Sequence, residues 1–132
     1  YLATSRKVAD YFIANIPESG LIPVDFRQPA DCALEDSSAA VIAACGLLEI
    51  ARQLEEKGET EQTESRIYRG AALRLLKALC EKRCNWDESV DNIVEKCTAA
   101  FHANPHEIPI IYGDYYLIEA IWKLTGEELF IW

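Results

Sequence analysis

The chain has 132 residues, of which 50% are apolar and 27% charged, and its formal net charge is −9. So acidic a balance disfavours a polyanionic partner, and we expect no contact with nucleic acid. No apolar run reaches about 18 residues, so the sequence predicts neither a membrane span nor a membrane partner. The length permits one domain with a moderate core.

The two ends of the chain indicate a fragment of a longer protein. The sequence begins at Tyr1, contains no Met, and stops after an apolar tail at 129–132. We therefore expect residues 1–132 to be a single fragment of a larger domain.

Five cysteines form an odd set without CxxC spacing. They are Cys32, Cys45, Cys80, Cys84 and Cys97. The simplest interpretation is that they are free thiols in a reducing compartment, and we expect a cytoplasmic location.

A zinc site is the alternative use of these cysteines. Cys80-x3-Cys84 followed by His102-x3-His106 is similar to the spacing of zinc ligands. The interval between the two pairs is longer than in common zinc fingers, however, and Pro105 lies inside the histidine pair. We therefore expect no metal and no cofactor.

The first predicted element is an amphipathic helix. Val8, Tyr11, Phe12 and Ile16 recur at helical spacing and form its apolar stripe, and Pro17 ends it. A long segment rich in glycine and proline follows and predicts an ordered loop. Loops of that length in a compact domain are usually functional.

Residues 37–50 are the most informative stretch, because only one of them is charged. A surface helix would carry polar side chains opposite its apolar stripe, so this helix must be buried on nearly every side. We expect Asp36 or Ser37 to cap it. It should run to about Lys57 and be closed by Gly58.

Two further helices are predicted. One spans about 63–83 and is amphipathic, and the last begins near Asp114, ends at Gly126 and is largely buried. Between them, 86–111 fits either a helix or short β-strands. Outer amphipathic helices thus alternate with inner apolar helices, which is typical of concentric helical layers.

Two motifs go beyond periodicity. They are DSSAAVIAACGLLEI at 36–50 and IPIIYGDYYLIEAIWKLTG at 108–126. Together they resemble the C-terminal part of the unsaturated glucuronyl hydrolases, glycoside hydrolase family 88. CTAAFH at 97–102 and RKVADYF at 6–12 fall in the order expected for this family. The resemblance covers essentially the whole chain.

The resemblance implies an all-α fold. The family adopts an (α/α)6 toroid of twelve helices, so the chain is similar to roughly its last third. On this basis we expect a partial toroid of alternating outer and inner helices. The resemblance also favours a short β-hairpin near 93–111 over a helix there.

The resemblance further implies an activity for the intact parent. Family 88 enzymes remove the terminal Δ4,5-unsaturated uronic acid from oligosaccharides that polysaccharide lyases release. An aspartic acid protonates C4 of the vinyl ether, water adds at C5, and the resulting hemiketal opens. The family's catalytic aspartates lie in the first two thirds of the toroid and match no position here. We therefore expect the fragment alone to be inactive and to contain no catalytic residue.

The same resemblance places the sugar where inner helices begin. Helix N-termini carry free N–H groups and a positive dipole end, which suit a carboxylated sugar. The candidate substrate-binding residues are Ser37, Ser38, Tyr112, Asp114 and Tyr115. Asp36 and Gly113 are expected to cap a helix or to form the pocket rim.

Two other functions stay open. The related family 105 uses the same barrel to hydrolyse unsaturated rhamnogalacturonan. A non-catalytic helical module that binds a partner protein would also account for apolar helix faces. A severed toroid is expected to self-associate through those faces.

Overall fold

The chain is built from helices. The computed structural model describes residues 1–58, 61–102 and 104–126. These ranges contain four α-helices and no regular strand, which confirms the all-α prediction. The helices are α1 (Leu2–Asn15), α2 (Ser37–Glu55), α3 (Gln62–Lys82) and α4 (Ile111–Thr125). The apolar tail at 129–132 lies outside the described residues.

The central helix is α2, as its composition predicted. It packs extensively along α3, then against α4, and touches α1 at few points. Eleven of its 19 residues are buried, which is more than a single apolar stripe would bury. Asp36 caps the helix as expected, and regular structure ends at Glu55, shortly before the positive-φ Gly58.

The expectation that no segment could span a membrane needs correction for α2. This helix has 19 residues and a mean hydropathy of 1.3, enough to cross a bilayer by length and composition alone. The alanines of α2 raise its mean hydropathy, although the helix contains no long run of large apolar side chains. Since 61% of the 18-residue apolar window is buried inside the fold, the signal is that of a core helix.

Aromatic, hydrogen-bonding and ionic contacts hold α1 to the rest of the fold. Phe12 packs edge-to-face against Phe26 of the long loop, with ring centroids 5.2 Å apart. The hydroxyl of Tyr68 in α3 donates a hydrogen bond of 2.7 Å to Asp10. An ion pair between Arg6 and Glu64 adds a further link to α3.

The apolar stripe predicted for α1 is only partly buried. Val8 and Tyr11 are 66% and 53% exposed, whereas Ala9 is buried. Phe12 and Ile16 of the stripe pack against the core, whereas Val8 faces an open space because α2 approaches α1 at few points. The prediction was therefore right about the helix and about Phe12 and Ile16, and wrong about Val8 and Tyr11.

The last helix, α4, begins three residues before the predicted start near Asp114. Gly113 lies inside its first turn, where a Cβ would come within 2.8 Å of the Cys97 sulfur. Gly126 ends the helix in the left-handed conformation with φ 82°, as expected.

Burial of α4 is one-sided, which corrects the prediction of a largely buried helix. Leu117 and Ala120 pack into the core against α2. The opposite face is apolar and exposed, with exposed fractions of 41–72%. Its residues are Ile111, Ile118, Ile121 and Trp122. Among the described helices, only α2 covers α4 extensively.

The predicted hairpin near 93–111 is not formed as regular strands in the part of the chain that the structure describes. One isolated antiparallel bridge joins Cys97 to Ile108, and another joins Cys84 to Val94. The Cys97–Ile108 pair exchanges two backbone hydrogen bonds of 3.0 and 2.8 Å. The segment therefore folds back on itself, but the pairing does not extend beyond these residues.

Two leucines of α3 test the packing between α2 and α3. Leu75 is fully buried, whereas Leu73 is 46% exposed. We expect Leu75→Ala to lower the free energy of unfolding by about 2–5 kcal/mol, because it removes a buried side chain and leaves a cavity. Leu73→Ala should cost less than about 1 kcal/mol. Urea denaturation of both variants measures the difference, and equal losses would contradict this packing.

Candidate functional site

A groove of about 970 Å³ runs between α1 and α2. We call it the α1–α2 groove. One wall consists of Tyr1 and of α1 as far as Phe12, and the floor is a stripe of α2 in which Leu47 and Ile50 are themselves buried. That stripe consists of Ala39, Ile42, Ala43, Gly46, Leu47, Ile50 and Gln53 together with Glu49. The groove is therefore mainly apolar along its length.

The polar end of the α1–α2 groove lies where α2 begins. Asp36, Ser38, Thr98 and Tyr112 line this end. Three of these residues were predicted from the starts of the inner helices. Thr98 was not predicted, because no spacing or motif marks it and only the fold brings it beside Asp36.

The carboxylate of Asp36 organises this end of the groove. Its Oδ1 accepts hydrogen bonds from the Ser38 amide at 3.0 Å, the Ser38 hydroxyl at 2.5 Å and the Thr98 amide at 3.1 Å. This is the expected N-cap, extended to a second segment of the chain. The Ser38 hydroxyl is thus already directed at Asp36.

A second set of hydrogen bonds fixes Thr98 behind the cap. The Thr98 hydroxyl donates to the Glu35 carbonyl at 2.8 Å and accepts from the Glu107 amide at 3.0 Å. The Glu107 carboxylate in turn accepts from the Glu35 amide at 3.2 Å. Three separate segments are therefore joined at the start of α2.

Arg83 and Glu35 form a bidentate ion pair beside this cluster. The two hydrogen bonds measure 2.5 and 2.8 Å, and the side chains are 20% and 22% exposed. The bond from Arg83 lowers the pKa of the Glu35 carboxyl, outweighing the effect of burial, and Lys96 acts in the same direction. The pair anchors the end of α3 to the residue before the cap.

The other predicted site residues lie away from the α1–α2 groove. Ser37 is 3% exposed, and its amide donates to the Lys96 carbonyl at 2.9 Å. The carboxylate of Asp114 accepts from the amides of Ile93 and Val94 at 3.0 and 2.7 Å. It thus holds the 93–94 backbone at the start of α4.

Tyrosines 112 and 115 have different surroundings. Tyr112 is 62% exposed and lines the groove. The ring of Tyr115 packs edge-to-face against Tyr116 at 5.0 Å. Burial and the nearby Glu119 carboxylate raise the pKa of the Tyr115 hydroxyl. Of the two phenols, Tyr112 is the one that a ligand in the groove would meet.

The alternative zinc set is not assembled. In the described ranges no group of three or more His, Cys, Asp or Glu side chains is placed to hold a metal ion.

Two curated proteins that match the chain bear the same name, unsaturated glucuronyl hydrolase. No family model matches the chain. An unsaturated glucuronyl hydrolase from Bacillus sp. (strain GL1) is 34% identical over 128 residues, covering 93% of this chain and 32% of that protein. One from Formosa agariphila is 28% identical over 127 residues, covering 92% of this chain and 30% of that protein.

Solved structures agree with the sequence matches. The crystal structure of unsaturated glucuronyl hydrolase from Bacillus sp. GL1 matches with a TM-score of 0.79 and 33% identity, over 93% of this chain and 32% of that one. The chain is homologous to part of unsaturated glucuronyl hydrolase. The resemblance seen in the sequence is thereby confirmed.

The likeness to unsaturated glucuronyl hydrolase extends to the architecture. The four helices correspond to a partial (α/α)6 toroid, as predicted. The chain spans about a third of the length of the curated relatives it matches. The Bacillus enzyme is described as responsible for the degradation of glycosaminoglycan. A further solved structure is that of an aspartate-to-asparagine variant with dGlcA-Glc-Rha-Glc, with the same TM-score of 0.79 and identity of 33%.

The close approach at Gly113 can be tested with a matched glycine. A Cβ at Gly113 would meet the Cys97 sulfur at 2.8 Å and the Val94 Cβ at 3.0 Å, whereas nothing lies within 4 Å of one at Gly70 in α3. We expect Gly113→Ala to destabilise by about 1–3 kcal/mol through overpacking. Gly70→Ala should be neutral or stabilise by up to about 1 kcal/mol. Thermal unfolding followed by circular dichroism distinguishes these outcomes.

The Glu35–Arg83 pair makes stability depend on pH. Since the folded-state pKa of Glu35 lies below its ordinary value of 4.5, the pair stabilises the fold above that pH. Its contribution is lost as the pH falls through the lowered pKa. We expect Glu35→Gln to cost about 1–3 kcal/mol at neutral pH. The difference from the parent should shrink in acid.

The exposed Lys77–Glu81 pair provides the control. Its atoms are 3.9 Å apart, with side chains 75% and 57% exposed. Glu81→Gln should therefore change stability by less than about 0.5 kcal/mol at any pH. Denaturant titrations at several pH values measure both variants. A pH-independent loss for Glu35→Gln would argue against the ion pair.

Proposed function

We propose that the chain forms about a third of the toroid of a glycoside hydrolase. This enzyme would remove the terminal Δ4,5-unsaturated uronic acid from lyase-generated oligosaccharides by hydration of the vinyl ether. The observation that carries the proposal is the match in sequence and backbone to unsaturated glucuronyl hydrolase over 93% of the chain. The saccharide bound to the related variant enzyme supports a carbohydrate substrate.

The contribution of this chain would be one wall of the sugar site. Tyr112 is exposed at the polar end of the α1–α2 groove, and Ser38 also lines that end. A phenol and a hydroxyl supply both hydrogen bonds and an apolar ring face for a sugar. Ser37, Asp114 and Tyr115 would then support this wall from behind, since their observed contacts are with the protein itself.

Asp36 is unlike the other residues at this end, because its charge would repel a uronate. Its Oδ1 already accepts three hydrogen bonds within the protein. We assign Asp36 the role of a cap that orients Ser38. Gly113 allows α4 to approach Val94 and Cys97 closely. Protonation of the vinyl ether would fall to an aspartic acid outside this chain, so we propose that the chain alone is inactive.

A chimera tests the proposed function. The homologous third of the Bacillus sp. enzyme would be replaced by this chain and assayed on unsaturated chondroitin and hyaluronan disaccharides by loss of ultraviolet absorbance. We expect turnover by the chimera and none by the chain alone. In the chimera, Tyr112→Phe should raise KM about 5-fold through the loss of a hydroxyl contact worth about 1 kcal/mol.

The control for this chimera is Tyr11→Phe. Tyr11 is likewise exposed, at 53%, but does not line the groove. Adding an unsaturated rhamnogalacturonan disaccharide to the assay distinguishes the family 105 specificity. A folded chimera that turns over none of these substrates would refute the proposal, as would activity of the chain alone.

We also propose that the isolated chain self-associates. The exposed apolar face of α4 and the open, mainly apolar α1–α2 groove support this. Contiguous apolar surfaces exposed to solvent commonly mark sites of protein–protein contact. Light scattering should give a mass above the 14.9 kDa of one chain. A stable monomer would favour the self-contained interaction module.

A matched pair of variants locates the associating surface. Ile121 of α4 and Val90 of a loop are exposed to the same degree, at 41% and 40%. Ile121→Glu should shift the scattering mass towards the monomer, whereas Val90→Glu should not. Circular dichroism confirms that both variants retain their helices. An equal shift in both would argue against α4 as the contact face.

The location of the protein is proposed from its thiols. All five cysteines are free in the structure, which supports a reducing compartment such as the cytoplasm.

A further inference from the structure

The two inner helices, α2 and α4, repeat a short sequence. LLEIARQL at 47–54 and LIEAIWKL at 117–124 lie 70 positions apart and share two leucines and a glutamate at matching places. The two glutamates, Glu49 and Glu119, each contact the side chain four positions later, at 2.7 Å in both cases. Residues of α2 and α4 that are 70 positions apart can therefore be compared for their surroundings.

Three apolar residues of α2 are buried away from the α1–α2 groove, whereas their counterparts in α4 are exposed. Within each helix the three recur at helical spacing and so share a face. The pairs are Val41 and Ile111, Leu48 and Ile118, and Ala51 and Ile121. Since α3 packs extensively along α2, and no described helix covers the exposed face of α4 in this way, α4 lacks an outer neighbour there.

The groove presents a second matching face. Leu117 and Ala120 are buried where α4 packs against α2. Their counterparts in α2 are Leu47 and Ile50, and both line the α1–α2 groove. At the groove, α2 thus offers the same face by which α4 packs against α2. That face is suited to a further inner helix.

The wall of the groove that α1 supplies lacks a covering helix as well. The outer helix α3 packs extensively against α2, the inner helix before it in the chain, and not against α4, the inner helix after it. Likewise, α1 approaches α2, the inner helix after it, at few points. In the described ranges no inner helix precedes α1, and Val8 is exposed at the groove. An inner helix in the groove would cover α1 as α2 covers α3.

We propose that α4 of one copy of this chain docks in the α1–α2 groove of the next copy, and that three copies close into a ring. The contact is heterologous, because it joins two different surfaces of the same chain. The docked helix meets α1 of its neighbour through the exposed apolar face of α4. This inference rests on the self-association proposed above and specifies its surfaces and its stoichiometry.

Closure into a ring follows from the share of the toroid that each chain holds. The chain has four helices, two outer and two inner, and an (α/α)6 toroid has twelve. Each copy therefore accounts for a third of a full turn. A heterologous contact closes when its repeated rotation returns to the first copy, and otherwise builds a filament. If each contact repeats the step from α2 to α4, three copies return to the start.

The starts of all inner helices would lie at one opening of the ring. Asp36 and Tyr112 line the same end of the groove, so α2 and α4 begin at the same end of the fold. The docked α4 would fill the apolar length of the groove and leave its polar end at the opening. The docked helix and the proposed sugar-binding wall therefore use different parts of the groove.

Light scattering of the chain over a range of concentrations tests the inference. The mass should rise with concentration, level at three times 14.9 kDa and go no further. A stable monomer, a mass that levels at twice that of one chain, or a mass that keeps rising would overturn the ring. Turnover by the chimera described above is measured independently, so none of these outcomes counts against the proposed hydrolase function.

Two variants remove one surface each. Val8→Glu places a charge in the wall of the groove, and Ile118→Glu places one on the exposed face of α4. Both residues are exposed, so the fold should tolerate the change. We expect each variant alone to be monomeric. An equimolar mixture should reach twice the mass of one chain, because only one intact α4 face and one intact groove remain to pair.

Leu73→Glu in α3 is the matched control. Leu73 is 46% exposed, against 43% for Ile118, and belongs to neither surface. This variant should keep the mass of the parent, and circular dichroism establishes that all three variants retain their helices. Association of Val8→Glu alone to the mass of the parent would show that the groove is not used and would overturn the inference. A mixture that stays monomeric would do the same.

Discussion

The start of α2 is a buried helix end whose backbone N–H groups need acceptors, and the rest of the structure depends on how that need is met. Asp36 supplies one acceptor oxygen, which also binds the Thr98 amide and so draws in a distant segment. The Lys96 carbonyl accepts from the Ser37 amide. Without these bonds, burying the end of an apolar helix would leave polar groups unsatisfied, at about 1–3 kcal/mol each.

The surroundings of α2 explain both the groove and the exposed helix faces. A helix that is apolar on nearly every side needs apolar neighbours all round. Within the described ranges, α3 and α4 cover two sides and α1 approaches at few points. The uncovered stripe becomes the floor of the α1–α2 groove. In a complete toroid, by contrast, each inner helix has neighbours on both flanks. The same lack of neighbouring helices in the described ranges leaves the exposed apolar face of α4 in contact with solvent.

Much of the helical layout could be predicted, because it is encoded locally. The acidic cap before two serines marks the start of α2, and Gly126 marks the end of α4. The start of α4 could not be predicted this way. Gly113 is typical of a helix boundary, and its actual role depends on the sulfur of Cys97, sixteen positions earlier in the chain.

The site was harder to predict than the helices. Asp114 looks from sequence like a ligand, but its partners are backbone amides of residues 93 and 94, which only the folded chain brings near. Thr98 carries no motif at all. The resemblance to unsaturated glucuronyl hydrolase supplied the architecture, which periodicity could only suggest. It did not indicate which polar side chains face the α1–α2 groove and which face the protein.

The sparse attachment of α1 gives the fold two levels of local stability. Two aromatic contacts to Phe26, the partial packing of a few α1 side chains, a tyrosine hydrogen bond and an ion pair to Glu64 hold this helix, whereas α2 and α3 share a continuous core. Segments with few buried apolar contacts open at lower free energy than the core does. Backbone amides of α1 will therefore exchange with deuterium through a sub-global opening, well before those of α2. In that open state the groove loses one wall, so the stability of a single peripheral helix governs how long a pocket exists.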